Sequence, residues 1–238
     1  MLRALAATVP TVALIIGVMP TAPAQAAPPA HAEKITVQSS CYGPDLGPVP
    51  GRIRFTTRPA PNGTYARARV TGVKGTWRGG IVTDQDSDVN LNTPRRPKAG
   101  GFGQYVLSPV KRPEDVFAIY RQARRAECLA SVVGLGRANL AAMGGPVGVL
   151  VRRGERPVLK VFPMYGTERA RFRVTVRVTT PKGKQRKTVT RRVDPQIAGL
   201  IKIPGLRHLR SFTRIQVTST KLGSGATSRL TVLRSPVG

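Results

Sequence analysis

The chain has 238 residues, of which 39 are Lys or Arg, 11 are Asp or Glu and 2 are His. A formal net charge of +28 repels cationic partners and concentrates anions at the surface. The shortage of His and of carboxylates leaves few groups from which a general acid–base pair could be built.

The chain opens "MLRALAATVPTVALIIGVMPTAPAQAAPPAHAEK", in which Arg3 is the sole charge before Glu33. An apolar run from Ala4 to Met19 follows, then Pro20 and the small-x-small tripeptide Ala24-Gln25-Ala26. This three-part layout predicts a secretory signal peptide over residues 1–26, cleaved after Ala26. The run is shorter than the ~20 residues a membrane span needs, and Pro10 interrupts it, so no transmembrane segment is expected after cleavage. Residues 27–32, "APPAHA", read as a flexible lead-in. The expected location is secreted or extracytoplasmic, associated with the envelope. In that compartment Cys41 and Cys128, the two cysteines of the chain, are predicted to form a disulfide.

Residues 33–136 read as a first, β-rich domain. "KITVQSSC" and "GRIRFTTRP" alternate apolar and polar residues with period two, "TYARARVTGV" does so more loosely, and "TWRGGIV" and "GQYVLSPV" are further strand candidates. One α-helix is expected over residues 113–130, where Pro113 sits in a first turn, Glu114 and Asp115 favour the positive dipole end, and arginines follow. Reading "VFAIYR" as a strand is the competing interpretation. Between the strands, "DQDSDVNLN" places Asp84, Asp86 and Asp88 at alternate positions, as the first three ligands of an EF-hand-type calcium loop require. Val89 and Arg95 stand where that loop needs Gly and a bidentate Glu, so a solvated Asx-rich turn is expected, with a calcium site as the alternative. Trp77 is expected in the core rather than stacked on a sugar.

Residues 137–147, rich in glycine and ending near Gly144-Gly145-Pro146, read as a hinge. Residues 148–238 then offer about seven strand candidates separated by turn signals, the pattern of an immunoglobulin-like antiparallel sandwich. The expected fold is therefore mainly β, in two β-rich domains. The charge is unevenly shared: 17 basic against 8 acidic residues from Ala27 to Val147, and 21 against 3 from Gly148 to Gly238.

The most basic stretch is "RFRVTVRVTTPKGKQRKTVTRRV", residues 171–193. Alternation along a strand directs Phe172, Val174, Val176 and Val178 into a core and Arg171, Arg173 and Arg177 away from it. Thr180-Pro181-Lys182-Gly183 suits a tight turn with proline second and glycine fourth. The returning strand adds Lys184, Arg186, Lys187, Arg191 and Arg192 to the candidate polyanion-binding set.

No Gly-x-Ser-x-Gly elbow, His-Glu-x-x-His pair or Walker loop is present, His31 falls in the lead-in, and His208 lies among arginines. No cofactor is expected. The sequence points to an exported, non-catalytic binding or structural protein of the cell envelope, attached through its basic second half to an anionic polymer or surface. Nucleic acid is not the expected physiological partner of an exported chain. The alternative is an exported hydrolase with its site in the first domain and the basic domain as a targeting module.

Overall fold

Period-two alternation of β-branched and polar residues runs through most of the chain, and strands follow from it. The computed structural model describes residues 33–60, 63–75, 77–83, 94–95, 102–108, 116–122, 126–133, 139–164, 168–194 and 199–236. The expected signal peptide and lead-in lie outside these residues. The elements are β1 (Glu33–Tyr42), β2 (Pro48–Ala60), β3 (Gly63–Thr71), β4 (Trp77–Thr83), β5 (Pro94–Arg95), β6 (Phe102–Ser108), β7 (Val116–Gln122) and β8 (Ala126–Val133). They continue with β9 (Asn139–Gly144), β10 (Val147–Arg152), β11 (Val158–Phe162), β12 (Ala170–Thr180), β13 (Gly183–Val193), β14 (Ile201–Ile203), β15 (Arg214–Lys221) and β16 (Thr227–Pro236). Among the described residues the one helical element is a 3-10 turn, Leu209–Ser211.

All the pairings are antiparallel, and they join the strands into one sheet whose main path runs β13-β12-β15-β16-β1-β8-β9-β10-β11-β14. β2, β3 and β6 branch from β1, and β7, β4 and β5 branch from β8. The sheet curls towards a barrel. Near its two ends, Gln185 on β13 hydrogen-bonds the segment that follows β14, donating to the Arg207 carbonyl and accepting from the Arg207 N–H, both at 2.8 Å.

The core lies inside this curl. Ile35, Val37, Phe55, Phe172, Val174, Val176, Val178, Val217 and Val232 come from one run of strands, and Leu140, Val149, Leu159 and Val161 from the other. Met164, Leu209 and Phe212 are buried with them in one continuous cluster. Each such side chain contributes about 1.5–3 kcal/mol by leaving water, so β12 alone supplies a large share with its four. Trp77 is buried as expected, and its indole N–H donates to the Lys74 carbonyl at 2.9 Å.

Two expectations meet a different outcome. The helix expected over 113–130 is replaced, at its described residues, by β7 and β8, which pair from Val116↔Val132 to Gln122↔Ala126. Val116, Phe117, Ile119 and Tyr120 are β-branched or aromatic, and β7 gains backbone partners on both sides, from β4 and β8. Sheet pairing thus overrides a sequence whose end signals suited a helix. The stretch expected as a hinge holds β9 and the turn into β10. Val147 pairs with Gly144 across the two-residue loop Gly145-Pro146, with Gly145 at φ 64, as a type II′ hairpin wants glycine first. Residues 31–238 form one compact unit, and β1 pairs with β16 from Glu33↔Pro236 to Ser39↔Leu230, so both halves of the chain share one sheet.

The disulfide is present. Cys41, at the end of β1, is bonded to Cys128 on β8 with a Cα–Cα distance of 4.3 Å, and both are fully buried. Here β1 and β8 share a single pair, Tyr42↔Glu127, reinforced by a 2.6 Å hydrogen bond from the Tyr42 hydroxyl to Glu127 Oε1. The covalent bond therefore holds a junction at which the ladder is minimal.

Candidate functional site

The hairpin of β12 and β13 is built by its turn. Thr180 pairs with Gly183, its hydroxyl accepts from the Lys182 N–H and donates to the Gly183 carbonyl, both at 3.2 Å, and Gly183 takes φ 126. This two-residue loop sets the register of every pair below it. Arg171 stands opposite Arg192, Arg173 opposite Thr190, Thr175 opposite Thr188, Arg177 opposite Arg186, and Thr179 opposite Lys184. Directly paired residues lie on the same face, so Arg171, Arg173, Arg177, Lys184, Arg186 and Arg192 share the outward one, and all six are exposed.

Lys187 and Arg191 do not join them. They pair with Val176 and Phe172, whose side chains are buried, and so stand on the inner face of β13, where they remain exposed. Among the described residues β13 is paired on one side only, with β12. Inward-pointing charges on an edge strand are one way such an edge is kept from pairing with other chains.

On β12 and β13 the outward face carries no carboxylate. Two arginine pairs, Arg171–Arg192 and Arg177–Arg186, face each other directly. Like charges so placed cost about 0.2–1 kcal/mol per pair. Threonines separate the cations, and Thr175 and Thr188 hydroxyls bond across the strands at 3.0 Å.

The sequence reading missed that this face continues. Arg177 pairs with Gln216, Gln216 with Thr231, Gln38 with Thr231 and with Arg54, and Arg54 with Arg69. One row of residues therefore crosses seven strands, from β13 to β3. Arg52, Arg54, Arg69, Arg214, Arg229 and Lys34 join the same outward face, and all are exposed. Their alternation was visible in "GRIRFTTRP" and "TYARARV", but not their alignment with β12.

The acidic residue of β1 points the other way. Glu33 lies on the inner side, where Arg153 contacts it at 3.2 Å and Arg234 hydrogen-bonds to its other oxygen. Burial pushes the Glu33 carboxyl up, but the hydrogen bond from Arg234 and the charges of Arg153 and Arg234 outweigh it and hold the group below its ordinary range. Burial lowers Arg153, with Glu33 opposing the shift. The Glu33 carboxylate is thus committed to two arginines on the inner side.

Asp84, Asp86 and Asp88, and His31, fall outside the described residues. His208 is exposed at φ 55 beside the 3-10 turn. Among the described residues no three His, Cys, Asp or Glu side chains gather as a metal site would require, and no helix is long and apolar enough to cross a membrane. Comparison with protein-family models, with curated proteins and with solved structures finds no match to this chain.

Proposed function

We propose that the chain is an exported, non-catalytic binding protein that attaches to an anionic polymer of the cell envelope through the outward face of β12 and β13. One observation carries this reading: six exposed cations share that face with threonines and no carboxylate, and two arginine pairs face each other directly. Protection of an edge strand accounts for Lys187 and Arg191, but it gives no reason to oppose arginine to arginine on the outward face. A bound polyanion removes that repulsion.

The test is replacement of Arg171, Arg173 and Arg177 together by Thr, with binding to isolated cell walls measured across a salt series. Each lost contact lowers the slope of log affinity against log salt by about 0.7–0.9, so the triple variant loses about 2–3 in slope. Its melting temperature stays close to the parent's, because these side chains are exposed and threonine suits a strand. Equal binding of parent and variant at low salt would sink the reading and leave the arginines as a solubilising surface.

A further inference from the structure

Two grooves lie side by side on the outward face. One, of about 370 Å³, is lined by Thr175, Arg177, Arg186, Gln216, Thr218 and Arg229. The other, of about 400 Å³, is lined by Gln38, Ser40, Arg52, Arg54, Arg69 and Arg229 among others. Arg229, exposed on β16, lines both. It stands two strands from Arg177 on β12 and two from Arg54 on β2. With strands ~4.8 Å apart and Arg229 two residues (about 7 Å) along the strand from the row of Arg177 and Arg54, the cationic stations stand about 12 Å apart and span about 19 Å across the strands.

We infer that this face binds one linear phosphodiester polymer laid across the sheet, on a track from Arg177 and Arg186, over Arg229, to Arg52 and Arg54. The inference rests on the polyanion reading of β12 and β13 and extends it in ligand class and in footprint. Opposed guanidinium groups such as Arg177 and Arg186 converge on one phosphate with charge-assisted hydrogen bonds. Between the stations the track presents Gln38, Ser40, Gln216, Thr218 and Thr231, amides and hydroxyls that suit the polyol units between phosphates. Nucleic acid fits less well, because the two grooves present no aromatic ring on which a base would stack. The nearby Tyr65 ring is covered by the Arg58 guanidinium at 4.8 Å. A lipid surface fits less well too, because no apolar side chain projects from the row to enter it.

The experiment measures binding of the purified chain to a glycerol phosphate dimer and dodecamer, to duplex DNA and to phosphatidylglycerol vesicles, across a salt series. The dodecamer binds at least about tenfold tighter than the dimer, since it engages several stations at once. R52Q/R54Q weakens dodecamer binding about tenfold and lowers the salt slope by about 1.4, while R52K/R54K keeps the slope. R229Q weakens the dodecamer more than the dimer. If R171T/R173T/R177T weakens the dodecamer but R52Q/R54Q and R229Q do not, the track is overturned and the hairpin reading stands. If the parent binds isolated cell walls but not the dodecamer, the assigned ligand class falls and the polyanion reading of the hairpin stands; if it binds neither, both fall. Tighter binding of duplex DNA or vesicles than of the dodecamer at equal salt overturns the assigned ligand class.

Discussion

Replacing Cys41 and Cys128 together by Ala should destabilise the chain by about 4.6 kcal/mol or more. The bridge closes a loop across a sequence separation of 87, for which chain entropy alone gives about 4.6 kcal/mol at 25 °C. The structure argues for the full value. β1 and β8 share only the Tyr42↔Glu127 pair, so little ladder remains to hold the β7–β9 arm against β1 once the bond is gone. Both sulfurs are fully buried, and two alanines leave a void beside Gly51 as well. A whole domain is stable by about 5–15 kcal/mol, so the variant retains a small margin or none. Urea unfolding followed by tryptophan fluorescence suits the measurement, because Trp77, the one tryptophan of the chain, is buried in the same core. The expected readout is a lower midpoint and a melting temperature reduced by about 9–18 °C. Reductant should leave the folded parent unchanged and lower its midpoint only after unfolding exposes the bond. A double variant within 1 kcal/mol of the parent, or two alkylatable thiols in the unreduced chain, would refute this reasoning; the threshold is about the loss expected from a routine substitution.

Two further outcomes follow from the inner face. Glu33→Gln leaves Arg153 and Arg234 without their carboxylate; with Glu33 14% exposed, the cost lies between that of an exposed and a buried pair, about 2 kcal/mol at pH 7. Its carboxyl is held below the ordinary 4.5, so its stabilisation is complete above that pH and is lost as pH falls through the lower folded value. The parent's urea midpoint should therefore drop more between pH 7 and pH 3 than that of the Gln variant, and parallel losses would contradict the assignment. Gly51→Ala adds a Cβ 2.6 Å from Val73 Cγ1 and 2.9 Å from Cys41 Sγ, at φ 130, and should cost about 3 kcal/mol in the same assay. A neutral result would show that the β1–β2 irregularity at Ser40 and Cys41 relaxes freely.

The mainly β character, the Cys41–Cys128 pair and the Thr180–Gly183 turn were legible in the residues, because period-two alternation and turn chemistry are local properties and two cysteines allow one intramolecular pairing. The two-residue turn even contained the parity of β13: counting from Thr180↔Gly183 puts Arg186 with Arg177 but Lys187 with Val176. Tertiary structure decided the rest. "VFAIYR" and the run around Cys128 carried helix-compatible ends, and became β7 and β8 because strands from elsewhere offered both edges a backbone partner. Gly144 and Gly145 looked like a hinge, yet an added Cβ on Gly144 would lie 2.6 Å from Leu230 and 2.7 Å from Ser39, so close packing of a hairpin on β1 and β16 explains that glycine. The placing of Arg54 in one row with Arg177, and of Arg229 and Arg52 in the row beside it, was beyond any local reading. It depends on the register of β12, β15, β16, β1 and β2, and the first and last of these stand more than a hundred residues apart. That register is set by which inner side chains fill the common core, since a slip of one residue would turn every buried valine outward and every arginine in.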